Sequence, residues 1–180
     1  MDLEADGPPG DQLAWRETYF ILFNHEQRPT LTQVEDAIGV SNPRLKIENL
    51  EADDDGLFRS LLVQAPEDNA ALEISYEAGD AVSEQSVELA KTLQKSIDGD
   101  RLALLFRSDA RLDVMHFERI SESGASLGAF AEDPGDDGDW ADEQFAAEGL
   151  DPATLITVVE ALATLTGGLP IDPAAGEVLI

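Results

Sequence analysis

The chain has few side chains suited to catalysis or metal binding. It contains no cysteine, which excludes a disulfide, a thiolate metal ligand and a cysteine nucleophile. Its two histidines, His25 and His116, are too few for a histidine-rich zinc site. His25 follows a strand-like run and is expected to be a solvated loop residue. His116, between two apolar neighbours, is expected to be a residue of the sheet.

Nucleophilic catalysis would need a serine with a base and an orienting acid. Ser60 and Ser108 have no base near them in the sequence, although such groups can meet in a fold. The chain has no Gly-x-Ser-x-Gly elbow, no phosphate-binding glycine loop and no dinucleotide fingerprint. We therefore assign no catalytic residue and no cofactor, and we favour a protein that is not an enzyme.

Two acidic turns partly fit a calcium-binding EF-hand loop. When Gly138 is aligned with the loop glycine, position 12 is Gln144. When Gly56 is aligned there, position 12 is Leu62. An EF-hand needs a bidentate glutamate at that position. Both segments are better interpreted as acidic turns, and we predict no metal site.

Acidic residues dominate the charge of the chain. The 38 Asp and Glu residues outnumber 11 Lys and Arg, for a net charge of −27. The last base is Arg119, and residues 120–180 carry 13 acids without a base. Such a charge disfavours nucleic acid and anionic membranes. It favours a basic protein partner, and the scarcity of lysine also suits adaptation to a salty habitat.

Composition divides the sequence into four parts. A Gly- and Pro-rich acidic arm precedes a mixed-charge globular domain, then an acidic Gly/Asp-rich linker and an apolar helix with a short tail. We place these parts at residues 1–14, 15–120, 121–150 and 151–180. The start of the chain does not resemble a signal peptide and no run is long enough to span a membrane, so a cytoplasmic protein is expected.

Hydrophobic periodicity predicts an α+β fold with the element order β-α-β-β-β-α-β-β. We expect a mostly antiparallel sheet with helices on one face, and a C-terminal apolar helix after the linker. Its segment α-β-β-β-α-β-β-α resembles small acidic secretion chaperones in element order alone. The predicted strands are 17–23, 44–48, 57–63, 72–76, 102–106 and 112–117, and the predicted helices are about 30–39 and 81–97.

The strongest candidates for partner contact lie after the globular domain. Trp140 and Phe145 are aromatic residues among acids, which either dock into a partner or fold back onto the sheet. Leu155, Val159 and Leu162 lie on a helix whose apolar surface must be covered by its own domain or by another chain. A homodimer through this helix is one way to cover it.

Three functions fit the sequence. The leading hypothesis is a non-enzymatic protein-interaction module, an adaptor or a chaperone-like domain. One alternative is a hydrolase-type enzyme with a dispersed carboxylate or serine site, which would need a deep pocket with perturbed acids. The other is an inhibitor that mimics nucleic acid, which would need its acids on one continuous face.

Overall fold

A computed structural model describes residues 11–66, 69–121 and 153–179 of the chain. Within these residues it has one seven-stranded antiparallel sheet and four α-helices, which confirms the predicted α+β class. The strands are β1 Asp11–Phe23, β2 Lys46–Ala52, β3 Phe58–Ala65, β4 Ala70–Ala78, β5 Ala110–Ser121, β6 Leu169–Asp172 and β7 Glu177–Val178. The helices are α1 Leu31–Ser41, α2 Asp80–Leu93, α3 Gly99–Arg107 and α4 Ala153–Thr166.

The strands lie side by side in the order β2-β3-β4-β5-β1-β6-β7, and every neighbouring pair is antiparallel. Strand β1 is therefore internal, as the apolar run at its end predicts. Its residues Ile21, Leu22 and Phe23 are all buried. Because successive side chains of a strand point to opposite faces, Leu22 lies on one face while Ile21 and Phe23 lie on the other.

The main core fills one face of the sheet, which we call the covered face. Helices α1 and α4 pack side by side over it. From the helices, Val34, Ile38, Val158 and Leu162 meet strand residues such as Ile21. The C-terminal helix therefore covers its own sheet.

The opposite face, which we call the second face, has a smaller core. Val82, Leu93 and Leu105 of helices α2 and α3 pack with Leu22 of β1 and Leu169 of β6. Each face of the sheet therefore carries a pair of helices. This corrects the expected arrangement with all helices on one face.

The segment 102–106, predicted as a strand, is part of helix α3. Its five apolar residues are too few for periodicity to separate a strand from a helix. The Asp98 side chain accepts a hydrogen bond from the Arg101 amide, which caps the helix at its start. Leu102 and Leu105, three positions apart, then pack into the core of the second face. The change removes one strand from the predicted resemblance to secretion chaperones.

The local signals around α1 are confirmed at its start and need correction at its end. The sequence predicts a capping box from Thr30 with Gln33 or from Thr32 with Glu35, and the structure has the first. Each side chain of the Thr30–Gln33 pair accepts a hydrogen bond from the backbone amide of the other residue. Gly39 follows the last apolar residue of the helical spacing and is expected to end the helix in the left-handed conformation, but the helix continues to Ser41. Asp80 is a favourable cap residue by type and is expected to precede α2, but it is the first residue of that helix and Gly79 is the cap.

At both ends of the described part of the chain the structure has strand residues that the hydrophobic periodicity did not predict. Strand β1 begins at Asp11, so residues 11–14 of the predicted arm pair with the end of β5. After α4 the chain turns at Gly167, whose φ is 67°, and adds β6 and β7 beside β1. In the described part of the chain no helix is both long and apolar enough to cross a membrane.

Candidate interaction surface

The second face is not covered along its whole width by the described helices. Its core residues on the sheet come from the end of β1 and from β6, which leaves β2, β3 and β4, the start of β1 and the end of β5 outside that core. The strand pairing places several apolar side chains on this uncovered part, because paired residues of antiparallel strands share a face. We call it the open patch, and it consists of Leu13, Trp15, Leu50, Leu62 and Phe117.

Exposure distinguishes this patch from the rest of the sheet. Leu13 is 45% exposed, Trp15 59% and Leu50 39%. Trp15 pairs with Phe117 of β5, and its indole N–H donates to the Thr18 hydroxyl at 2.9 Å. Leu13, Leu50 and Leu62 line one depression of about 620 Å³. Apolar groups in an accessible hollow are typical of a contact surface.

Carboxylates flank the leucine at the centre of the depression. Leu62 of β3 pairs with Glu48 on one side and with Glu73 on the other, and both carboxylates are exposed. Glu51 lies one pair further along, where it accepts a hydrogen bond from the Ser60 hydroxyl at 3.2 Å. The apolar floor is therefore bordered by carboxylates on β2 and β4, the two strands on either side of β3.

A polar strip separates the open patch from the core under α2 and α3. The Arg111 guanidinium lies 4.3 Å from the centre of the Phe20 ring. Its nitrogens are 2.7 Å from a Glu77 oxygen and 2.6 Å from an Asp113 oxygen. Burial raises the pKa of the Asp113 carboxyl, although Arg111 acts in the opposite direction. Burial is therefore the cause of the raised pKa of Asp113, and Arg111 is the structural partner of its carboxylate.

Three of the partner-binding residues predicted from the sequence lie in the core and not on the surface. Leu155, Val159 and Leu162 are at most 2% exposed and pack into the core under α4. Their side chains are thus used by this chain itself, and the outer surface of α4 is formed by other residues. Trp140 and Phe145 lie outside the described residues, as does the acidic turn around Gly138.

His25 has a partner that the sequence could not indicate. Its Nδ1 is 2.6 Å from an Asp109 carboxylate oxygen, and its backbone N–H donates to the other oxygen at 2.8 Å. The two residues are 84 positions apart and meet where β1 ends and β5 begins. Partial burial opposes ionisation of Asp109, but the hydrogen bonds from His25 outweigh it and lower the pKa of that carboxyl.

His116 lies in β5 as expected, and it belongs to a second polar cluster. Its Nδ1 is 3.5 Å from a Glu17 carboxylate oxygen, which also accepts a hydrogen bond from the Tyr19 hydroxyl at 3.2 Å. Burial and the neighbouring Glu17 raise the pKa of Tyr19 to about 12. The hydroxyl therefore stays protonated and acts as a hydrogen-bond donor.

The serine and turn candidates are occupied by structural contacts. The buried Ser108 hydroxyl donates to the Leu104 carbonyl at 2.8 Å. Asp53, in the turn before Gly56, accepts bonds from the amides of Asp55 and Leu57. These backbone bonds are the main reason that the pKa of Asp53 is lowered. Among the described residues no group of three or more His, Asp or Glu side chains could hold a metal ion.

Comparisons with known proteins identified no relative of the chain. No family model, no curated protein and no solved structure matches the chain. Function therefore has to be inferred from the residues and from their arrangement.

Proposed function

We propose that the protein is a non-enzymatic protein-interaction module, and that the open patch receives a segment of another protein that combines apolar side chains with Lys or Arg. One observation carries the proposal. Leu13, Trp15 and Leu50 keep much of their surface exposed on one side of the sheet, in and beside a depression bordered by carboxylates. Burial of this apolar surface would drive association, and the carboxylates would select a basic partner.

The charge of the chain favours a partner from another molecule. Every Lys and Arg lies within the described residues, so residues 1–10 and 122–152 carry acids and no base that could pair with the carboxylates of the patch. A second copy would bring the same excess of negative charge. Two of the arginines near the patch are already engaged, since Arg16 pairs with Glu118 and Arg119 donates to Gln64.

The two alternatives have less support. A hydrolase needs acids or a serine converging in a pocket, whereas Ser108, Asp109 and Asp113 each hold a structural contact. A nucleic-acid mimic needs acids on one face. The exposed carboxylates lie instead on both helical layers, on β2 and in the turn at 53–55.

The distribution of acids has a second explanation that is compatible with interaction. Carboxylates on many surfaces, with only three lysines in the chain, would keep a protein soluble where salt screens charge repulsion. We include adaptation to salt and a cytoplasmic location in the proposal. The carboxylates that select a partner at the open patch are then the small set beside Leu62, and most of the other acids would serve solubility.

A short peptide of alternating lysine and leucine tests the proposal, because its two faces match the apolar floor and the acidic border. We expect it to bind the protein, and we expect the L13S/L50S variant to lose about tenfold in affinity. Isothermal titration calorimetry gives both constants. A peptide of alternating glutamate and leucine should bind at least tenfold more weakly than the lysine peptide.

The matched control is Phe106→Ser, which removes a 49% exposed apolar side chain on α3, outside the open patch. It should leave the affinity within about twofold of the original. Equal losses in the control and in L13S/L50S would contradict the proposal, and so would equal binding of the two peptides.

A further inference from the structure

We propose that the protein has a second docking surface, the groove between α1 and α4 on the outside of the covered face, and that it receives a basic amphipathic helix of another protein. The groove lies on the opposite side of the sheet from the open patch. This inference therefore goes beyond the proposed function and does not depend on binding at the open patch.

The groove is an apolar channel between two helices that lie side by side. It measures about 560 Å³, and its lining includes Ala37, Val40, Ala161 and Leu165. Val40 is 84% exposed, a larger fraction than any other large apolar side chain that the structure describes as exposed. Small side chains beside two larger ones give the ridges of a third helix a place to enter.

The charges of the two helices specify the occupant. Asp36 and Glu160 border the groove, and neither α1 nor α4 contains a Lys or Arg. A helix that carries Lys or Arg beside its apolar stripe would place positive charge against both carboxylates. The occupant that fits this groove is therefore an amphipathic helix with a basic flank.

The same charges argue against the other possible occupants. A second copy would bring its own Asp36 and Glu160 to the contact, together with its net charge of −27. The segments 1–10 and 122–152 of this chain contain acids and no base. The helix must then come from another protein.

The test uses a helical peptide with leucines at positions i, i+3, i+4 and i+7 and lysines elsewhere, titrated into the full chain. We expect binding that weakens as salt is added, with backbone amide shifts in α1 and α4 observed by NMR. The D36K/E160K variant should bind about tenfold more weakly. The E84K/E88K variant makes the same change of charge on α2 and should bind within about twofold of the original.

Each other outcome overturns the inference. Absence of binding by the helical peptide, or an equal loss in the two charge variants, would show that the groove does not select it. A scrambled peptide with the same composition that binds equally well would show attraction by net charge alone. Sedimentation that reveals a dimer abolished by Ala161→Arg would assign the groove to a second copy. Because L13S/L50S leaves the groove intact, failure at one surface is separable from failure at the other.

Discussion

The two faces of the sheet differ in how completely helices cover their apolar side chains. Both take alternate residues of the same strands, yet on the covered face those residues are buried under α1 and α4. On the second face α2 and α3 cover β6 and the end of β1, while Leu13 and Trp15 at the start of β1 and Leu50 of β2 remain exposed. The difference indicates that the covered face provides stability, whereas the open patch has apolar surface available for a partner.

The two faces also differ in the charge of the side chains that their strands contribute. On the open patch the cross-strand neighbours of Leu62 are carboxylates, so the strands alternate between apolar and acidic side chains. On the covered face the corresponding positions, such as Leu61, Val63 and Ile74, are apolar and buried. Substitutions of one chemical type on the two faces should therefore have very different effects on folding.

The largest effect is expected for Leu162→Ala on α4. Leu162 is fully buried, so the change should lower the free energy of unfolding by about 2–5 kcal/mol through lost burial and a cavity. Leu13→Ala removes the same atoms from the open patch and should cost less than about 1 kcal/mol. Urea denaturation of both variants measures the contrast. Similar losses would mean that the two faces do not differ as described.

A smaller effect is expected where α4 leads into β6. A Cβ added at Gly168 would lie 2.8 Å from Ile21 Cγ2 and 2.9 Å from the Leu22 carbonyl oxygen, so Gly168→Ala should cost about 1–3 kcal/mol. Gly39→Ala in α1 meets no atom within 4 Å and should stabilise the protein by about 0.5–1 kcal/mol. Thermal unfolding should show a lower melting temperature for Gly168→Ala and a higher one for Gly39→Ala. A change of the same sign in both variants would contradict the close approach of the turn after α4 to β1.

The smallest effect is expected at Asp109, beyond the end of β1. Because His25 lowers the pKa of Asp109 in the folded state, its carboxylate stabilises the protein above the ordinary pKa, and this contribution is lost as the pH falls through the lowered value. Asp109→Asn should cost about 1 kcal/mol at pH 7, and the difference should begin to shrink below about pH 4 and vanish only below the lowered pKa. Stability measured across pH, with Asp54→Asn as the control, tests this. A loss that is independent of pH would contradict it.

Local signals were sufficient for much of the fold. The capping box at Thr30 and the apolar runs of β1 and β3 act over a few residues, and the structure confirms them. The segment 102–106 could not be assigned in this way, because five apolar residues satisfy both a strand and a helix. The cap at Asp98 and the packing of Leu102 and Leu105 against the second face favour the helix.

The open patch could not be predicted from the sequence, because it depends on which strands pair and in which register. Leu13, Leu50 and Leu62 belong to three strands, and only the strand order and register place them around one depression. Hydrophobicity alone favoured α4, since its apolar stripe needed a cover. That cover proves to be the chain's own sheet. A composition cannot indicate which apolar residues the fold will leave exposed.

The central claim is that the open patch binds a basic, apolar segment, and mapping the contact by NMR tests it most directly. With the alternating lysine–leucine peptide, we predict that shifted backbone amides cluster in residues 46–52, 58–65 and 70–78 and at the start of β1. Amides of α1, α3 and α4 should stay unchanged. Shifts centred on the helices, or spread evenly over the surface, would contradict the account.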